Sequence, residues 1–156
     1  MSSVRRGEPA DAPALAGMLH DFNLEFGDPS PGLDVLRERV AEFISGGVKQ
    51  YLIALATPGE PTGFAQVDFI RSIWSQGPIA HLDELYVVPR RRGEGFGRAL
   101  METMLALAHE RGAAGAEVVT GEDDAAARAL YEGFGFANAT EGVENARSLF
   151  YELEFE

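Results

Sequence analysis

The sequence contains no cysteine. Disulfide staples, thiolate zinc centres and a cysteine nucleophile are therefore all excluded, and any acyl chemistry must run without a cysteinyl intermediate. Positive charge is scarce: 13 Lys+Arg stand against 25 Asp+Glu, a net charge of −12. Nucleic acid and anionic membrane surfaces need the opposite balance, so neither is expected as a partner, whereas a cationic ligand is compatible with it. No apolar run approaches the ~20 residues of a membrane span. The opening stretch MSSVRRGEPADAP carries arginines but no apolar segment of the kind a secretory leader needs, and a cytoplasmic location is expected. No histidine pairs with acids at metal-ligand spacing, so no metal is expected. Repeats, low-complexity tracts and interdomain linkers are also missing from the 156 residues, which points to one domain over 1–156.

What is present is an alternation of strand and helix patterns. SVRR (3–6) reads as a short strand. A helix follows from Ala10 or Asp11, with Pro13 in its first turn and Leu15, Met18, Leu19 and Phe22 at helical spacing. GDPSPG (27–32) breaks it, and LDVLRERVAEFI (33–44) forms a second amphipathic helix. Three strands are expected over 50–56, 63–74 and 79–89, the last two as a hairpin about SQGP. A strong helix over 97–112 comes next, then a strand over 116–120 and a helix over 123–135. Two short strands, FANAT (136–140) and SLFYELEF (148–155), close the chain. The order β-α-α-β-β-β-α-β-α-β-β is an α/β fold with a mixed sheet.

The densest positive charge lies in VVPRRRGEGFGRAL, residues 87–100. Four arginines against Glu94 give this segment +3 and leave −15 for the rest of the chain. Here a strand ends, three glycines alternate (Gly93, Gly95, Gly97), and a helix begins. Glycines allow a tight turn and close approach of a ligand. A helix N-terminus presents unpaired N–H groups and partial positive charge, a ready-made anion site. Together with the arginines these features point to a phosphate ligand. The run is neither a P-loop, which needs G-x-x-x-x-G-K-[ST], nor a dinucleotide fingerprint, because Arg98 occupies the third glycine position.

Arg92 to Gly97, R-G-E-G-F-G, resembles the [QR]-x-x-G-x-[GA] motif of the GCN5-related N-acetyltransferases (GNAT). A second match lies 35 residues on: DDAAARALYEGFGF is similar to the family's N-x-x-A-x-x-L-Y-x-x-x-G-F, through Ala127, Leu130, Tyr131, Gly135 and Phe136, with Asp124 in place of Asn. The resemblance implies a GNAT-like fold with a mixed, centrally splayed sheet flanked by helices. It implies an N-acetyltransferase that uses acetyl-CoA as cosubstrate. The cofactor-binding residues it implies are Leu85, Val87 and Val88 toward the pantetheine arm and acetyl carbonyl, Arg92, Gly93, Gly95, Phe96, Gly97 and Arg98 toward the pyrophosphate, and Asp124 and Tyr131. It places Tyr131 beside the cofactor sulfur, where a protonated phenol is a suitable acid for the departing thiolate. Asp124 at a helix start is also a natural N-cap. A homodimer formed through the late strands is implied as well.

Transfer to an amine also needs a base. Asp83 and Glu84, in HLDELYV, lie on the strand that enters the pantetheine site. Neighbouring strand residues face opposite sides, so at most one is expected in the cleft, unless a bulge disturbs the alternation. Glu84 is favoured, with Asp83 second, and His81 is an outside candidate for proton relay. The acceptor side is expected from the first two helices and their loop, HDFNLEFGDPSPG, where Phe22, Glu25 and Phe26 are candidate substrate-binding residues among Asp21, Asn23 and Asp28. The reading is a transferase moving acetyl to a primary amine of a small cationic molecule, or a peptide, by direct transfer. The alternatives are another acyl donor or acceptor, or a non-catalytic acyl-CoA sensor or interaction module.

Overall fold

Five strands form one sheet: β1 (Ser3–Arg6), β2 (Gln50–Leu55), β3 (Pro61–Ile70), β4 (Ile79–Val87) and β5 (Gly115–Val118), lying in that order. The first four are antiparallel in sequence, and β5 runs parallel to β4. The computed structural model describes residues 3–139, 142–144 and 146–155. Its two compact units are Met1–Val118 and Val119–Glu156. The mixed α/β class expected from the sequence is the one found.

In the first unit, α1 (Ala12–Phe26) and α2 (Leu33–Ser45) cover one face of the sheet. Ala12, Leu15, Met18 and Val40 pack there against Tyr51, Ile53, Leu55, Phe64, Tyr86 and Val88. Gly27, at φ 73°, ends α1 in the left-handed conformation that glycine adopts without strain. The other face carries α3 (Phe96–Glu110), whose Leu100, Met101, Met104, Leu107 and Ala108 are buried. Each of these leucine and methionine side chains contributes about 1.5–3 kcal/mol through burial. Gly63 permits the close packing. A Cβ there would lie 2.6 Å from the Tyr86 carbonyl oxygen and 3.3 Å from Leu100 Cδ1.

The splay of the sheet follows from strand lengths. β5 pairs only with Ile79–Leu82 of β4. From Asp83 onward β4 has β3 on one edge and no strand of the described residues on the other.

The second unit contains α4 (Ala125–Gly133). Asp124 caps it, its Oδ1 accepting the Ala127 N–H at 3.0 Å. Gly135, at φ 93°, closes it, and the Phe136 N–H reaches the Tyr131 carbonyl at 3.1 Å.

Two expectations are corrected. The strand expected over 63–74 stops at Ile70, and Ile73 and Trp74 stand 90% and 93% exposed in the hairpin loop. The closing segments form no extended ladder among the described residues. One isolated antiparallel bridge joins Ala139 and Arg147, and Leu149, Phe150, Tyr151, Leu153 and Phe155 are exposed. Thr140, at the end of FANAT, lies outside the described residues. Alternating apolar residues show that a segment suits a strand, but only a second backbone makes it one. Among the described residues no helix is long and apolar enough to cross a membrane.

Candidate active site

The site is organised by one extra residue in β4. Gln66 pairs with Glu84 and Val67 with Leu82, so Asp83 is a bulge without a partner. Phe64 and Tyr86 are cross-strand partners on the α1/α2 face, their ring centroids 6.1 Å apart. Gln66 and Asp68 follow Phe64 at two-residue steps, and Glu84 precedes Tyr86 by one such step, so all three share that face. Regular alternation would send Asp83 to the opposite face. The bulge brings it back: its Oδ2 accepts from Gln66 Nε2 at 3.2 Å and from Lys49 Nζ at 2.5 Å. The expectation that at most one of the two carboxylates enters the site is therefore corrected. Both face α1 and α2, because the extra residue cancels the strand's two-residue period.

Their environments separate their roles. Lys49 donates to Asp83 and also to Asp68 Oδ2, at 2.6 Å. Burial pushes the Asp83 carboxyl up, but the hydrogen bonds donated by Lys49 and Gln66 help to outweigh it and hold the group below its ordinary range. Asp83 is thus a committed anion. Burial lowers the Lys49 ammonium, and its bonds to Asp68 and Asp83 more than restore it, so it stays charged. Glu84 is half-buried and receives no hydrogen bond or ion pair from the described residues. Burial first, and then the negative charge of Asp83, raise its carboxyl above the ordinary range. An unpaired carboxylate with raised affinity for a proton suits a general base. His81, on the same strand, lies with Nε2 3.4 Å from Asp83 Oδ1 and Nδ1 3.0 Å from Glu117 of β5. Burial and the charges of Asp83, Asp68 and Glu84 raise the Tyr51 phenol.

The backbone past the bulge has its own polarity. The Val88 N–H donates to the Thr62 carbonyl of β3 at 2.8 Å, and the Val88 carbonyl accepts from the Arg91 N–H at 2.9 Å. The Val88 N–H and one lone pair of its carbonyl are thus used internally. By alternation Tyr86 also points its peptide groups at β3, while Leu85 and Val87 point theirs to the open edge. The Val87 carbonyl accepts from Arg92 Nε at 3.0 Å.

Beyond β4 the chain turns through Pro89–Arg91 into the glycine loop. Gly93 and Gly95 sit at φ 80° and 91°, and open space surrounds the position of a Cβ at each, so the glycines serve conformation here. Gly95 is the N-cap of α3, and the first backbone bond of the helix runs from Ala99 to the Gly95 carbonyl. No backbone acceptor among the described residues pairs with the amides of 93–97. The Phe96 ring is buried, leaving its amide at the helix start together with that of Gly97. The arginines are tied to acids: Arg91 to Glu60 (2.6 Å) and Glu94 (3.2 Å), Arg98 to Glu102 (3.2 Å) and Arg92 to Glu25 of α1 (2.8 Å).

Arg92 and Glu25, expected at opposite ends of the site, thus meet each other. The Arg92 guanidinium also lies over the Tyr86 ring, 5.7 Å from its centroid. Phe22 is partly buried against Tyr86 (5.2 Å between centroids) and Phe26 (5.1 Å), while Phe26 itself is 57% exposed. Asn23 Nδ2 donates to the Pro29 carbonyl at 3.2 Å and His20 meets Ser30 at 2.8 Å, pinning the loop that carries Asp28. In the second unit Tyr131 is buried, with its ring 6.0 Å from Phe136, and Asp124 is the helix cap already described. Among the described residues no cluster of acids and histidines is arranged to hold a metal ion.

Sequence reasoning missed Lys49, Gln66 and Asp68. One signal was available: Lys49 is the only lysine in a chain with twelve arginines.

The model of the Acetyltransferase (GNAT) family matches residues 15–136. Aminoglycoside N(6')-acetyltransferase type 1 of Stenotrophomonas maltophilia is 30% identical over 138 residues, which span 86% of this chain and 85% of that protein. A crystal structure from Arthrobacter sp. FB24, described as a candidate acetyltransferase, superposes with a TM-score of 0.88 at 42% identity, covering 98% of this chain and 96% of that one. A Clostridium acetobutylicum protein, described as a predicted acetyltransferase and crystallised with acetyl-CoA, shares the fold with a TM-score of 0.74 at 18% identity, covering 92% of this chain and 95% of that one.

Proposed function

Because the chain belongs to the GNAT acetyltransferase family, we propose that it moves the acetyl group of acetyl-CoA directly to a primary amine of a small, multiply cationic molecule, with Glu84 as the general base. The observation that carries this reading is the unpaired, half-buried Glu84 carboxylate beside the open edge of β4.

The residues suit the cosubstrate. The amides of 93–97, at the N-terminus of α3 and between left-handed glycines, suit the pyrophosphate. The peptide groups of Leu85 and the N–H of Val87, turned away from β3, suit the pantetheine arm, while the Val87 carbonyl accepts from Arg92. That a Clostridium protein of the same fold was crystallised with acetyl-CoA supports the choice of cosubstrate. When bound, acetyl-CoA supplies the acyl group as a thioester. The chain's own work is to bind and orient it and to manage two protons. Glu84 takes the proton of the attacking ammonium. By the resemblance, Tyr131 returns one to the departing thiolate. Asp124, engaged with its helix, serves as a cap in this reading.

The acceptor class follows from charge and from a relative. Asp28, Asp68, Asp83 and Glu84 outnumber Lys49 on the α1/α2 side. Phe22 and the exposed Phe26 offer apolar surface beside Glu25. The Stenotrophomonas relative is named for aminoglycosides, which are polyamines of this kind. The exposed tail residues Leu149 to Phe155 support a homodimer, which sedimentation can check.

The test is an acceptor screen: free-thiol release from acetyl-CoA with aminoglycosides, polyamines and amino-terminal peptides. Turnover confined to polycationic amines supports the proposal. Binding of acetyl-CoA without turnover on any amine identifies a sensor instead.

A further inference from the structure

Lys49 enters the sheet between α2 and β2, where its ammonium bridges Asp68 of β3 and the bulged Asp83 of β4. The Phe43 ring of α2 lies beneath it, 6.0 Å from Nζ to centroid. Lysine suits this place better than the chain's otherwise universal arginine. A compact ammonium with three donors can bridge two carboxylates on neighbouring strands, whereas a planar guanidinium presents a wider, fixed fork.

We propose that Lys49 is a positioning residue for acetyl transfer: its ammonium clamps the β4 bulge and offsets the Asp68–Asp83 charge, and so sets where the neighbouring Glu84 carboxylate stands and how negative its surroundings are. This rests on the reading of Glu84 as the base. The groups around Glu84 come from every adjoining element. They are Asp83 and His81 on β4, Asp68 and Gln66 on β3, Tyr51 on β2, Asp28 from the loop between α1 and α2, and Glu117 of β5 acting through His81. Asp83 and Asp28 push the Glu84 carboxyl toward its neutral form, and Lys49 pulls it back. Without the ammonium, two carboxylates face each other at the bulge with Gln66 as the remaining amide donor, and Glu84 protonates at higher pH.

The experiment is the pH profile of kcat/KM for thiol release with one amine throughout, so that the amine's own ionisation cancels between proteins. It compares wild type, K49M, D68N, K49M/D68N and E84Q. K49M is expected to move the acid limb up by about one pH unit, a roughly tenfold loss on the limb, with a high-pH plateau within a few-fold of wild type. D68N alone moves the limb down. The double variant, which restores the charge of the cluster, returns it toward wild type. An unmoved limb in K49M, or a loss uniform in pH that D68N does not restore, overturns the proposal. If K49M does not fold, the direction of the D68N shift decides by the same criterion. E84Q separates the two readings. If it keeps both rate and limb, the base assignment has failed. If it loses both while the Lys49 and Asp68 variants leave the limb in place, only the present inference has failed.

Discussion

Replacing Glu84 with glutamine should make the protein less active and more stable. Glutamine keeps the shape and removes the charge. A positioned general base contributes typically 10²–10⁴-fold, so kcat/KM should fall at least ~100-fold, about 2.7 kcal/mol of transition-state stabilisation. Stability moves the other way. The Glu84 carboxyl is raised in the folded state by burial and by Asp83, and no described residue donates to it. A folded pKa above the unfolded one means that the native protein binds the proton more tightly. Stability from this group is therefore fully present below the unfolded value and is lost as pH rises through the folded one. At neutral pH the ionised carboxylate opposes folding, and the neutral amide does not. The expected gain is about 0.5–2 kcal/mol, a few degrees in Tm. The gain should shrink toward zero near pH 4, where the wild-type side chain protonates in both states. The assays are thiol release across the acceptor panel and thermal melts of both proteins from pH 4 to 8. A rate within three-fold of wild type refutes the base assignment. A Tm difference that is negative at pH 7, or constant across the range, refutes the electrostatic argument.

G95E should lower acetyl-CoA affinity more than thirtyfold, because it sets a carboxylate among the free amides of the loop; titration calorimetry would show it, and retained affinity would sink the pyrophosphate assignment. G95A probes the same position without charge and should cost about 1–2 kcal/mol in a denaturation curve, from the left-handed φ of 91°. Y131F is expected to lower kcat about tenfold with acetyl-CoA binding unchanged, and an unaltered kcat removes Tyr131 as the acid. D124A should lower stability by about 1 kcal/mol while D124N does not, since an amide oxygen can also accept the Ala127 N–H; equal losses from both would contradict the capping role.

The glycine loop was legible because its information is local. Gly93 and Gly95 occupy conformations that other residues resist, and an apolar helical stripe begins directly behind them. The same holds for Asp124 and Gly135 at the ends of α4. The closing strands were misread for the opposite reason: alternation describes a side chain's preference and says nothing about whether another backbone lies alongside. The two carboxylates of β4 fall between these cases. Their residue types were visible in HLDELYV, but their shared face was not.

By itself, then, the sequence determined the order of the helices and of the first five strands, the glycine turn ahead of α3, the absence of cysteine chemistry and the pair of acids on the strand before Pro89. These depend on composition, on periods of two and 3.6 residues, and on backbone conformations open to few residue types. The tertiary structure decided which acid is free. A single unpaired residue at Asp83 turns both carboxylates to one face, and Lys49, 34 positions away in the chain, binds one of them and leaves Glu84 without a partner among the described residues. Strand register and the approach of a distant ammonium are long-range facts of packing, and no local pattern encodes them.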